Sequence, residues 1–134
     1  MEIEEYVRST RVSISGIPYA HLKSRGDVAA PARWTEEVKR QTAHLPKVVH
    51  PCVVRVTFRL PPEKFPKDHP YGSDLDNLLK RFFDALIETV FSDAAGKDGI
   101  VVSIEATKVR VGHSGEAGAD LEIIEIEKVN PERA

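Results

Sequence analysis

Cysteine is nearly absent: Cys52 is the only one in 134 residues, which excludes an intrachain disulfide and a cysteine-based zinc finger. A reducing cytoplasm is then the default compartment. No apolar run approaches the ~20 residues that span a bilayer, so no membrane partner is expected. The opening residues, MEIEEYVRST, are acidic and lack the apolar core of a secretory signal. Neither GxxxxGK(S/T) nor GxGxxG occurs, which leaves a nucleotide cofactor without support. The histidines at 21, 44, 50, 69 and 113 show no HxH or HExxH spacing, and a serine beside His113 makes no triad. Internal repeats and low-complexity tracts are missing as well.

What remains is the profile of an ordinary globular domain, 41% hydrophobic and 30% charged, at a length that fits one unit over 1–134. The net charge of −2 conceals an asymmetry. Residues 1–72 carry 12 Lys and Arg against 8 Asp and Glu, whereas 73–134 carry 7 against 13. The interval 20–67 is the most basic, with 10 against 4. A basic part that attracts phosphate and an acidic part that holds a cation would produce this division, and so would an ordinary solvated surface.

Periodicity predicts six elements. Val12 and Ile14 alternate with serines over 11–18, a strand closed by Gly16 and Pro18. After a basic loop, Pro31 opens a helix with Trp34, Val38, Gln41 and Leu45 along one side and Glu36 paired to Arg40 on the other. CVVRVTFRLP at 52–61 alternates strictly and reads as a strand, and the Pro-rich stretch 61–73 as an extended loop. From Leu75 to Val90 the apolar residues keep helical spacing without a miss, with Ser73 as N-cap and Asp76 completing a capping box. Two strands, 100–111 and 120–129, close the chain around a Gly-rich turn. The economical packing is an α+β two-layer sandwich, one mixed sheet of about four strands with two main helices on one face. The second sheet face would stay partly exposed, a place for a dimer partner.

Three carboxylates stand out. Asp74 and Asp76 flank the start of the long helix, and Asp98 lies in the loop before the next strand. Hard cations such as Mg²⁺ take oxygen ligands and keep several waters, so two or three carboxylates suffice. Lys80 is one helical turn beyond Asp76, placed to meet a phosphate that the metal also touches. Each residue also has a purely structural reading. Asp74 would offset the helix dipole, Asp76 and Lys80 would form an i,i+4 pair, and Asp98-Gly99 would be a turn.

The run SDLDNLLKRFFDAL at 73–86 resembles the DxDNLxK…DAL signature of the RusA family of Holliday junction resolvases. The similarity extends over about 11–129: a strand ending in GxP, a basic loop, a helix with a Trp, a strand ending in Pro-Pro, the signature helix, an acidic loop, and a strand bearing Lys108. The resemblance implies a homodimeric, Mg²⁺-dependent endonuclease that cuts four-way DNA junctions by paired nicks. It assigns metal binding to Asp74, Asp76 and Asp98 and phosphate assistance to Lys80. Asn77 matches the motif asparagine. Lys23, Arg25 and Arg33 are the expected backbone-phosphate grips, with Lys80 beside them. The chain departs from the family pattern at Lys97, where the first of two adjacent acids is expected, and Asp93 competes with Asp98 as the third acid. The alternatives are a branched-DNA-binding protein of the same fold that cuts weakly or not at all, and a dimeric interaction domain without nucleic acid.

Overall fold

Strict alternation at 52–60 and helical spacing from Leu75 onward form the centre of the protein. The computed structural model describes residues 2–3, 6–20, 29–68, 70–126 and 129–130. In chain order the elements are β1 (Glu2–Ile3), β2 (Tyr6–Ser15), α1 (Ala30–Thr42), β3 (Cys52–Leu60), α2 (Leu75–Ile87), β4 (Val101–Arg110), β5 (Gly118–Ile126) and β6 (Val129–Asn130). Four strands form one mixed sheet in the order β2-β5-β3-β4. β5 is antiparallel to both β2 and β3, whereas β3 and β4 are parallel. The short β1 and β6 pair with each other, antiparallel. This is the two-layer α+β sandwich that the sequence predicts. No described helix is long and apolar enough to cross a membrane.

Both helices lie on one face of the sheet. Trp34 of α1 stacks on Phe82 of α2 at 6.3 Å between centroids, and Phe58 of β3 meets Phe82 edge-on at 5.4 Å. Ile14, Val54, Val56, Leu121 and Ile123 complete the core from the strands. Each fully buried large apolar side chain contributes about 1.5–3 kcal/mol. The opposite face is polar. There Arg11 and Arg55 both reach Glu122, Arg55 also reaches Glu105, and Arg59 pairs with Asp120 at 2.8 Å. The exposed face is therefore a charge ladder rather than an apolar patch, and its individual pairs add little stability.

Several boundaries differ from the sequence reading. β2 begins at Tyr6, not 11, because Tyr6–Thr10 pair with the far half of β5. It ends at Ser15, as Gly16 turns with φ +133° directly beneath the Trp34 ring. α1 stops at Thr42, whose hydroxyl turns back to the Val38 carbonyl at 2.7 Å and meets the Thr89 hydroxyl at 2.8 Å. Arg40 pairs with Glu37 instead of Glu36, and Glu36 reaches Lys39 at 3.7 Å. α2 ends at Ile87, but Val90 and Phe91 continue its buried side through a turn.

The β3–α2–β4 connection decides what lies where. Because β3 and β4 run the same way, α2 must run back between them. Its start lies at the Leu60–Arg110 end of the sheet and its end near Cys52 and Val101. Val48 N–H donating to the Val90 carbonyl at 2.9 Å, and Lys47 Nζ to the Thr89 carbonyl at 2.6 Å, hold that far end in place.

Candidate nucleic-acid and metal site

Two anchors set the start of α2. Lys108 Nζ donates to the Ser73 carbonyl at 2.7 Å. One residue earlier, Gly72 has φ +79°, and a side chain there would come within 2.8 Å of the Phe65 ring. Arg110 in turn lies over that ring, 5.5 Å from its centroid. The Pro-rich loop is thus folded back on itself and tied to β4.

Asp74, not Ser73, is the N-cap of α2, and its side chain makes no capping bond. Its backbone carbonyl accepts from Leu78 N–H at 3.0 Å. Asp76 Oδ1 accepts from Asn77 N–H at 3.0 Å, so no capping box with Ser73 forms. Both carboxylates are exposed beside the free N–H groups of a helix start, which favour negative charge. Lys80 is also exposed, and no ion pair joins it to Asp76 among the described residues. The i,i+4 structural reading therefore does not hold, and the ammonium points to solvent.

More basic and aromatic groups collect at this end. Lys64 covers the Tyr19 ring at 3.3 Å from its centroid. Tyr19 and Arg33 line one small cleft with Gly16 and Trp34. Lys67 is exposed in the loop, and Tyr71 is 83% exposed. Lys23 and Arg25 lie outside the described residues.

Asp98 is not here. It sits in a short 3-10 turn, Lys97–Ile100, immediately before Val101, which pairs with Cys52. Seven residue steps along β4 separate Val101 from Lys108, a span of roughly 20 Å. Asp93 lies at the same far end, in the turn after α2. The leading loop thus does not approach the Pro-rich loop, because a parallel β4 starts where α2 finishes. Among the described residues no three Asp, Glu, His or Cys side chains are grouped to hold a metal ion. Asp74 and Asp76 fit as two oxygen donors for a hydrated Mg²⁺; the set of three does not fit within one copy.

A buried polar cluster escaped the sequence reading. Glu125 is fully buried on the helix-facing side of β5, where Arg8 Nε binds one carboxylate oxygen and His50 Nδ1 is 3.4 Å from the other. Arg8 also donates to the Lys47 carbonyl at 2.9 Å. Glu125 holds the Arg8 guanidinium above its ordinary pKa through that hydrogen bond. Burial, with the Glu125 charge added, pushes the adjacent Cys52 thiol up to about 12. That thiol is inert at neutral pH. The only hint in the sequence was a glutamate in phase with Leu121 and Ile123.

No family model matches the chain, and no curated protein matches its sequence.

Proposed function

We propose that the protein is a RusA-like, structure-specific endodeoxyribonuclease of the cytoplasm that resolves four-way DNA junctions with Mg²⁺. The observation that carries this reading is that Asp74 and Asp76 are both exposed at the start of α2, with the exposed Lys80 on the turn that follows. Asp74 and Asp76 are the oxygen donors for Mg²⁺, whose chemistry when bound is to activate water and offset phosphate charge. Lys80, with no ion pair among the described residues, contributes positive charge where the pentacoordinate phosphate gains negative charge. Arg33, Lys64 and Lys67 position the DNA backbone, the role that the sequence also assigns to Lys23 and Arg25. The Lys108–Ser73 bond holds the carboxylates steady.

A second reading, a junction-binding protein that does not cut, draws on the separation of Asp98 from the other two acids. A labelled four-way junction and its matching duplex, each with Mg²⁺ or with EDTA, tests both. Metal-dependent nicks confined to the junction support the endonuclease. Retarded but uncut junction supports the second reading. Neither binding nor cutting at low salt overturns both and leaves an interaction domain.

A further inference from the structure

Among the described residues, the loops at the end of the sheet beside Asp74 and Asp76 carry three aromatic rings, and two of them are covered. Lys64 sits on the Tyr19 ring, 3.3 Å from its centroid, and Arg110 lies over Phe65 at 5.5 Å. Tyr71 is open. At 83% it is the most exposed large apolar side chain among the described residues, and it makes no hydrogen bond or ring contact with any of them. Its hydroxyl is at home in water, but both faces of its ring are left without a partner.

The stem that carries this ring is held on one side. Next to it, Gly72 turns with φ +79° against Phe65, and Ser73 is tied through its carbonyl to Lys108 Nζ. A ring on a fixed stem loses less freedom on binding than one on a free loop, so more of its contact energy appears as affinity. Three residue steps separate Tyr71 from Asp74, at most ~11 Å of chain. That reach equals about three base-pair rises of DNA. The ring therefore meets bases close to a phosphodiester held at the two acids.

Asp74, Asp76 and Lys80 respond to any phosphodiester, so they do not tell a branch from a continuous duplex. A bare aromatic face does. In a duplex every base pair is covered on both sides, and uncovering one is costly. At a branch point the stack is interrupted, and a base face is open to a ring. Stacking also adds affinity that salt does not screen. This chain gains little from general attraction to a polyanion, with 19 Lys and Arg against 21 Asp and Glu. We infer that Tyr71 stacks on an open base face at the branch point and is the residue that makes binding selective for branched over continuous DNA. This rests on the reading of the protein as one that acts on DNA junctions, and it holds whether or not the junction is cut.

The test is binding of wild type, Tyr71→Ala, Tyr71→Phe and Tyr71→Leu to a labelled four-way junction and to its matching duplex. It is run in EDTA, so that nothing is cut, and at several salt concentrations, with thermal unfolding of each variant alongside. Tyr71→Ala is expected to weaken junction binding by about 5- to 150-fold and duplex binding by less than about twofold. The slope of affinity against salt stays as in wild type, because no phosphate contact is lost. Tyr71→Phe keeps the ring and binds the junction within about twofold of wild type. Tyr71→Leu keeps apolar bulk without a π-face and falls with Tyr71→Ala. Unchanged junction binding by Tyr71→Ala, an equal loss on duplex, or a shallower salt slope overturns the inference. Rescue by Tyr71→Leu as good as by Tyr71→Phe overturns stacking as its cause, and unfolding of Tyr71→Ala shows that the fold itself uses the ring and overturns it too. Wild type that binds neither DNA at low salt refutes the junction reading and this inference together, whereas wild type that prefers the junction but never cuts it refutes only the endonuclease.

Discussion

Lys108 Nζ donates a 2.7 Å hydrogen bond to the backbone carbonyl of Ser73, joining the edge strand to the residue that precedes Asp74. A lysine on the sheet therefore sets the position of carboxylates on a helix. Charged hydrogen bonds of this kind contribute about 1.5–3 kcal/mol. Lys108→Met should lower stability by roughly that amount or less, because the site is only part-buried. Junction cleavage should fall more than junction binding, since the carboxylates lose their anchor while the phosphate grips remain. Urea unfolding alongside binding and cleavage titrations checks this; an equal fall in binding and cleavage by a folded variant would contradict it.

Gly72 tests the same loop from the other side. Its φ of +79° is strained for any side chain, and an added Cβ would meet Phe65 at 2.8 Å. Gly72→Ala should cost on the order of 1–3 kcal/mol and displace the start of α2. Thermal unfolding measures the first effect and cleavage the second. A fully stable Gly72→Ala variant would mean that the Phe65 contact does not constrain the loop.

The open sheet face makes an acid-side prediction. Hydrogen bonds led by Arg11 hold Glu122 below its ordinary value of 4.5, and on α1, away from that face, Arg40 does the same for Glu37. A carboxylate whose pKa is lowered by folding adds stability above the unfolded value, and that stability is lost as pH falls through the folded one. Unfolding midpoints should therefore hold steady down to about pH 4.5 and decline below it. Glu122→Gln should flatten part of that decline. Superimposable acid limbs for wild type and variant would remove Glu122 from the account.

The parts of the fold that were legible in the sequence are those where one periodicity runs unbroken. β3 alternates without exception, and α2 keeps its apolar spacing, so both were evident from residues alone. The first half of β2 was not, because Arg8 and Thr10 occupy buried-side positions. Arg8 is accommodated there by Glu125 and the Lys47 carbonyl, both distant in the chain. The candidate site divides in the same way. Asp74 and Asp76 are neighbours by covalent structure, whereas the place of Asp98 depends on whether β4 runs parallel or antiparallel to β3. Alternation is identical in the two cases, so no residue pattern in β4 distinguishes them.

The most direct test of the central claim compares wild type with Asp76→Asn on the same labelled four-way junction, reading binding and strand scission in one experiment with Mg²⁺. Asp76 is exposed and makes no tertiary contact that the fold requires, so the variant should remain folded. The account predicts junction binding within about twofold of wild type and no nicks on either strand. Nicking by Asp76→Asn at the wild-type rate would contradict it.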